Sequence, residues 1–213
     1  MTRIAIATVM ILCLGLTAHA FDAIGSAFGC MTTARTQGMG AGSFGAGVGI
    51  ADATSVMGSF NYGLSRYTDG RLKLGFIDSD ASNDMELVFG ADFKWQIWDL
   101  TGMTKHPFDM AIGAFFEYVD FGGASVLELG GQCIGSHSFD MKNGRALTPY
   151  GRFNLRMERY SIDFKGESDS KSELKFGINA GVAYQVTNSI DVYGELQLDG
   201  NDGLFVGAVF GVM

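Results

Sequence analysis

Proline, basic residues and long apolar runs are all scarce in this sequence. The 213 residues include only 2 prolines, which excludes a proline-rich linker or a collagen-like repeat. Lysine and arginine number 15 against 23 aspartates and glutamates, for a formal net charge of −8. Because a phosphate backbone requires a basic surface, we expect no nucleic-acid partner. No segment after residue 20 approaches the apolar run of about 20 residues that a transmembrane helix needs.

Cysteine and histidine are too few and too scattered for a structural zinc site. None of the three cysteines forms a C-x-x-C pair, and only His106 and His137 follow residue 20. We therefore expect no metal ion and no cofactor. Cys30 and Cys133 are a possible disulfide pair if the protein is exported, although sequence alone does not establish the geometry.

The N-terminus carries the three parts of a secretory signal. Arg3 supplies a positive charge, residues 4–16 are uncharged and apolar, and Ala18-His19-Ala20 is an A-x-A cleavage site. We predict that residues 1–20 are a cleaved signal peptide. Residues 21–38 show no sustained periodicity and are predicted to form a periplasmic N-terminal segment.

Apolar and polar residues alternate through the remainder of the chain, residues 39–213. Alternation with a period of two is typical of β-strands, and turn residues separate the blocks. The polar segment 161–172 is expected to be the longest outer loop. The ten predicted strands cover approximately residues 40–50, 56–67, 71–77, 85–98, 108–119, 124–139, 147–160, 173–186, 189–199 and 203–213.

The length of these strands favours a membrane barrel. Soluble strands average about 5–6 residues, whereas a membrane-spanning β-strand needs about 9–11, and most blocks reach the longer value. Closure of the sheet would pair every backbone group inside lipid. We predict an all-β fold, an antiparallel up-and-down transmembrane β-barrel over residues 39–213, with ten strands or, alternatively, eight. An exported soluble β-sandwich remains the main alternative, since it also alternates.

Charges of both signs occupy the face opposite the apolar one, and in a barrel they would face the lumen. A barrel of eight to ten strands is filled mostly by side chains, so a structural network of ion pairs is the first hypothesis and a path for small solutes is the second. The candidate lumenal residues are Glu86, Asp92, Lys94, Asp109, Glu117, Glu128, Arg152, Arg156, Glu158, Lys175, Asp191 and Glu195.

Aromatic residues lie near the ends of several predicted strands. Such residues form girdles where a barrel meets the two membrane–water interfaces. Their presence predicts that lipid of the outer membrane contacts the barrel. The candidate girdle residues are Trp95, Trp98, Tyr118, Tyr160 and Tyr184.

Residues 147–213 resemble the last strands of OmpA-like and OmpW-like outer-membrane barrels. The resemblance lies in Thr148-Pro149-Tyr150-Gly151, in Gly177 and Gly181, in the Thr187-Asn188 turn, and in Tyr193-Gly194-Glu195. It implies a monomeric barrel that the barrel-assembly machinery inserts into the outer membrane from the periplasm. Roles in such families include anchoring, adhesion, passage of small solutes and lipid handling, and no catalytic residue carries over.

We therefore predict an outer-membrane barrel with a structural or binding role, and slow passage of small solutes through a narrow, charge-lined lumen as the sharper hypothesis. A barrel enzyme that acts on lipid is the second alternative, after the soluble sandwich. His137 and Ser138 are the adjacent candidates for it, but neighbouring residues on a strand point to opposite faces and could not act as base and nucleophile. We accordingly expect no enzymatic activity.

Overall fold

A computed structural model describes residues 26–78, 85–100, 106–121, 124–164 and 167–212. The predicted signal peptide lies outside these residues. No helix in this part of the chain is long and apolar enough to cross a membrane.

The described residues form ten long strands and one strand of two residues. The strands are β1 (Gly42–Ala51), β2 (Thr54–Gly63), β3 (Thr68–Asp78), β4 (Glu86–Trp98), β5 (Asp109–Asp120), β6 (Ala124–Ser136), β7 (Phe139–Asp140), β8 (Ala146–Phe164), β9 (Glu167–Thr187), β10 (Ile190–Leu198) and β11 (Gly203–Val212).

The ten long strands close into a single barrel. Each is antiparallel to its neighbours along the chain, with β6 pairing directly to β8 and the short β7 lying on the connection between them. Closure comes from β1 and β11, which pair from Gly42 opposite Val212 to Ala51 opposite Gly203. The predicted ten-stranded barrel is confirmed, and both the β-sandwich and the eight-stranded barrel are wrong.

The strand bounds differ most from prediction at the hairpin of β8 and β9. The loop expected at 161–172 is instead largely paired, from Ser161 opposite Ser170 to Phe164 opposite Glu167. Its many serines and charged residues are typical of a loop. Strand formation depends strongly on the available partner, and here each strand supplies the hydrogen-bonding edge for the other.

The two faces of the wall have opposite character. Outward-facing apolar side chains are exposed, as at Leu196 (60%), Leu74 (56%) and Val206 (52%), while the inward-facing Arg156 is 1% exposed. Soluble monomers rarely expose apolar patches of more than a few hundred Å². An apolar exterior around a closed sheet is the surface of a barrel embedded in lipid.

Candidate functional site

Residues 26–38 run through the inside of the barrel. We call the end where β1 begins and β11 ends the proximal end, and the end with the β10–β11 turn the distal end. Ser26 lies at the distal end, where its carbonyl accepts a hydrogen bond from Gln197 Nε2 at 2.7 Å. Further along, the Thr36 amide donates to Gln96 Oε1 at 3.0 Å near the proximal end. We call residues 26–38 the lumenal segment.

This position differs from the periplasmic one expected for residues 21–38. Residues 21–25 lie outside the described part of the chain. For residues 26–38 the physical reason is a set of backbone N–H groups that bond to the wall in place of a strand or helix partner. Such bonds need no periodic sequence pattern, because they do not depend on the side chains of the segment.

Glu195 on β10 forms the firmest attachment of the lumenal segment. Its two carboxylate oxygens accept the amides of Cys30 at 2.6 Å and Met31 at 2.7 Å. Tyr150 Oη donates to the same carboxylate at 2.6 Å, and Asn179 Nδ2 does so at 2.7 Å. Four donors therefore surround one buried carboxylate, and each bond is strengthened by its charge.

The backbone at this attachment is shaped to hold an anion. Gly29 has φ +60° and Met31 has φ +35°, so consecutive N–H groups converge into the concave arrangement called a nest. A β-carbon on Gly29 would lie 2.9 Å from Glu195 Oε1 and 3.1 Å from Phe205 Cγ, which explains the glycine. A positive φ at a residue such as Met31 costs about 1–3 kcal/mol, and the two amide bonds to Glu195 offset that cost.

A second carboxylate, Glu117 on β5, binds the start of the segment. It accepts the Ser26 hydroxyl at 2.9 Å and the Ala27 amide at 3.0 Å. Lys73 Nζ lies 2.5 Å from Glu117 and 2.9 Å from Asp92. Arg71 pairs with Asp92 and also donates to the Cys30 carbonyl at 2.7 Å. The segment is thus hydrogen-bonded to a chain of ion pairs on the wall.

Arg156 on β8 is the centre of a third group. It donates to Glu158 Oε1 at 2.6 Å, to Asn154 Oδ1 at 3.0 Å and to the Asp199 carbonyl. The Glu128 and Asp199 carboxylates each lie 3.5 Å from the guanidinium. Burial raises the pKa of the Asp199 carboxyl to about 6, with Arg156 acting in the opposite direction. One buried cation therefore compensates three carboxylates.

Apolar side chains pack together inside the lumen near its distal end. Phe28 of the lumenal segment packs in a cluster with Ile77, Val88 and Phe205 among others. A β-carbon on Gly75 would lie 3.0 Å from Phe28 Cε1, so the ring sits directly against the wall of β3. The Phe28 ring therefore packs inside the lumen on the distal side of Lys73, whose Nζ lies 5.1 Å from the ring centre.

The structure brings most of the candidate lumenal residues together. Nine are buried inside: Asp92, Lys94, Asp109, Glu117, Glu128, Arg152, Arg156, Glu158 and Glu195. Lys94 pairs with Asp69, Asp109 accepts from Gln96, and Arg152 lies over the Phe115 ring at 4.7 Å.

The other three candidates are less buried. Glu86 lies near the distal end, and Lys175 pairs with Glu173 at 2.8 Å close to the β8–β9 hairpin. Asp191 lines a cavity at the proximal end. The sequence analysis missed Asp69, because residues 68–70 fall between the predicted strands 56–67 and 71–77. It also missed the backbone amides of the lumenal segment.

Four of the candidate girdle residues point outward, and one does not. Trp95, Trp98 and Tyr184 lie near the proximal end and Tyr118 near the distal end. The assignment of Tyr160 is wrong: its hydroxyl donates to Glu158 and its ring packs against the apolar cluster inside the barrel. Tyr160 is an even number of residues from Arg156, so alternation places both on the lumenal face.

The possible disulfide between Cys30 and Cys133 is also wrong, because both thiols are free. Cys30 is buried in the lumen, whereas Cys133 lies on the outward face opposite Ile112 and Phe153. The barrel wall separates them.

His137 and Ser138 do not form a catalytic pair in the structure. His137 Nδ1 contacts the Pro107 carbonyl at 2.8 Å, while Ser138 Oγ contacts Thr148 Oγ1 at 2.8 Å. Across the described ranges, no three His, Cys, Asp or Glu side chains are grouped so as to hold a metal ion.

Comparison with known proteins finds similar barrels among solved structures. The N-terminal β-barrel domain of Pseudomonas aeruginosa OprF is 14% identical over 83% of this chain and 100% of that one, with a TM-score of 0.41. KdgM porin is 8% identical over 80% and 99%, with a TM-score of 0.44. Acinetobacter baumannii Omp33 is 9% identical over 83% and 100%, with a TM-score of 0.35.

Identities this low concern the fold alone. No protein-family model matches the sequence, and no curated protein matches it. By its own closed sheet and apolar exterior, the chain is a ten-stranded β-barrel of the outer-membrane type.

Proposed function

We propose that this protein is an outer-membrane barrel with a structural and binding role, whose lumen is kept closed by its own lumenal segment. The observation that carries the proposal is the bonding of Glu195 to the amides of Cys30 and Met31. In this proposal the proximal end faces the periplasm and outer-membrane lipid surrounds the apolar exterior. We further propose a monomer inserted by the barrel-assembly machinery.

The energetics of the buried carboxylates favour the closed state. Without the lumenal segment, Glu195 would lose two of its four donors and Glu117 would lose the Ser26 and Ala27 groups. A buried polar group left without its partner costs about 1–3 kcal/mol, and a charged one costs more. The wall is therefore complementary to the segment. Removal of the segment would leave the carboxylates of Glu195 and Glu117 on the wall without several of their donors.

Passage of small solutes is then slow and depends on displacement of the segment. A solute would have to pass both the apolar cluster around Phe28 and the ion pairs around Lys73 and Arg156. We propose that any conduction occurs during rare excursions of the segment out of the lumen.

Conductance of the purified barrel in a planar lipid bilayer tests this proposal. The wild type is expected to be closed for nearly all of the recording. Glu195→Ala removes the acceptor for both amides, and a loss of about 1.5–3 kcal/mol should raise the open fraction by about tenfold or more.

Glu173→Ala is the matched control, because Glu173 pairs with Lys171 and Lys175 on β9 and, among the described residues, has no hydrogen bond or ion pair with the lumenal segment. It should leave the recording unchanged. Steady, ohmic conduction by the wild type would overturn the proposal. An equal open fraction in Glu195→Ala and wild type would also overturn it.

A further inference from the structure

A cavity of about 380 Å³ opens at the proximal end. The lumenal segment forms one side through Thr32 and Thr36, and β10 forms another through Asp191 and Tyr193. This volume lies within the range of about 300–1,000 Å³ typical of small-molecule sites. The cavity is thus large enough for a small ligand and is bounded on both sides by polar groups.

Most charges at the cavity already have partners. Lys94 Nζ lies 3.4 Å from Asp69 and donates to the carbonyls of Thr33 and Arg35 at 2.8 Å each. Arg71 is held by Asp92 and the Cys30 carbonyl. These two cations hold the segment in place, and they are not available to a ligand.

Asp191 differs from those residues. Within the described part of the chain, its carboxylate has no hydrogen-bond or ion-pair partner, yet it is half-buried and lines the cavity. The Tyr193 ring, two residues along the same face of β10, packs edge-on to Tyr150 at 6.1 Å. Its hydroxyl likewise has no hydrogen-bond partner among the described residues.

We propose that this cavity binds a small organic cation through a primary ammonium group, with Asp191 as the counter-ion. An ammonium group has three donors and no acceptor, which suits a carboxylate and a neighbouring phenol oxygen. Arg35 also lines the cavity but is exposed. Its charge is therefore hydrated and takes no part in the contact between the ammonium group and Asp191. A charge-assisted bond of this kind contributes about 1.5–3 kcal/mol.

The inference depends on the proposed function only in that the segment forms one wall of the cavity. Its test is nevertheless separate. Conductance reports whether the lumen is closed, whereas ligand binding reports on Asp191, which contacts no residue of the segment through a hydrogen bond or ion pair. A closed lumen without amine binding would overturn this inference and leave the proposed function standing.

Isothermal titration calorimetry with putrescine, on the full barrel in detergent, provides the test. Asp191→Asn should weaken binding by about tenfold or more. Asp140→Asn is the matched control, since Asp140 is exposed on β7, and it should bind as the wild type does. Arg35→Ala should bind putrescine at least as well as the wild type.

Three results would overturn the inference: no heat with millimolar putrescine, equal affinity in wild type and Asp191→Asn, or equal affinity for the neutral isostere 1,4-butanediol. Retention of the mobility shift between unboiled and boiled samples in SDS would show that Asp191→Asn is folded. If Asp191→Asn loses this mobility shift and is therefore misfolded, putrescine binding is measured with Tyr193→Phe instead. That variant keeps the aromatic ring and should weaken binding several-fold.

Discussion

Replacing Arg156 with methionine is expected to destabilise the folded barrel by about 3–5 kcal/mol. Arg156 is 1% exposed and lies among the carboxylates of Glu158, Glu128 and Asp199. Removal of this cation leaves the three carboxylates close together in the lumen without the guanidinium that lies among them. Urea unfolding in lipid vesicles, followed by tryptophan fluorescence, measures the change.

Arg159→Met is the control for this substitution. Arg159 lies on the same strand but is exposed on the opposite face, where a surface change should stay within about 0.5 kcal/mol. Arg156→Lys should fall between the two, because lysine keeps the charge and loses the planar fork of donors. Equal stability of Arg156→Met and Arg159→Met would contradict the account of the lumenal network.

A charge at the middle of the apolar exterior is expected to have the next largest effect. Val182 is outward-facing on β9 and pairs with Gly194, halfway along β10. Arginine at the midplane of a membrane barrel costs about 2–4 kcal/mol. Val182→Arg should therefore reduce the fraction of folded, heat-modifiable protein in vesicles and lower its unfolding midpoint.

Ser170→Arg introduces the same charge on the same strand and face, but in the β8–β9 hairpin beyond the end of β10. Since that position lies outside the lipid-covered band, little change is expected. Similar losses in both variants would mean that the exterior around Val182 does not face lipid.

Period-two alternation, together with the length of the strands, was enough to predict the barrel. Runs such as Leu87, Phe89 and Ala91 on β4 place apolar side chains on one face of the strand. In lipid, a closed sheet is the arrangement that gives every strand edge a hydrogen-bonding partner. The same rule placed Arg156 and Glu158 inside. Where the rule was not applied strictly, as for Tyr160, the assignment failed.

The lumenal segment could not be predicted in this way. The Cys30 amide bonds to a carboxylate 165 positions away in the sequence, and the donor is a backbone group that every residue except proline carries. Nothing in the residue types from 26 to 38 specifies that partner. The conformation depends on the finished wall, so it follows from the tertiary structure and not from a local pattern.

The central claim is that residues 26–38 occupy the lumen, and proton–proton NOEs in the refolded barrel test it most directly. We expect NOEs between the Phe28 ring and the α-protons of Gly75, which lie together at the distal end. Isotope-labelled protein in lipid nanodiscs would provide the measurement. Narrow, random-coil signals from Phe28 without any NOE to the wall would contradict the account.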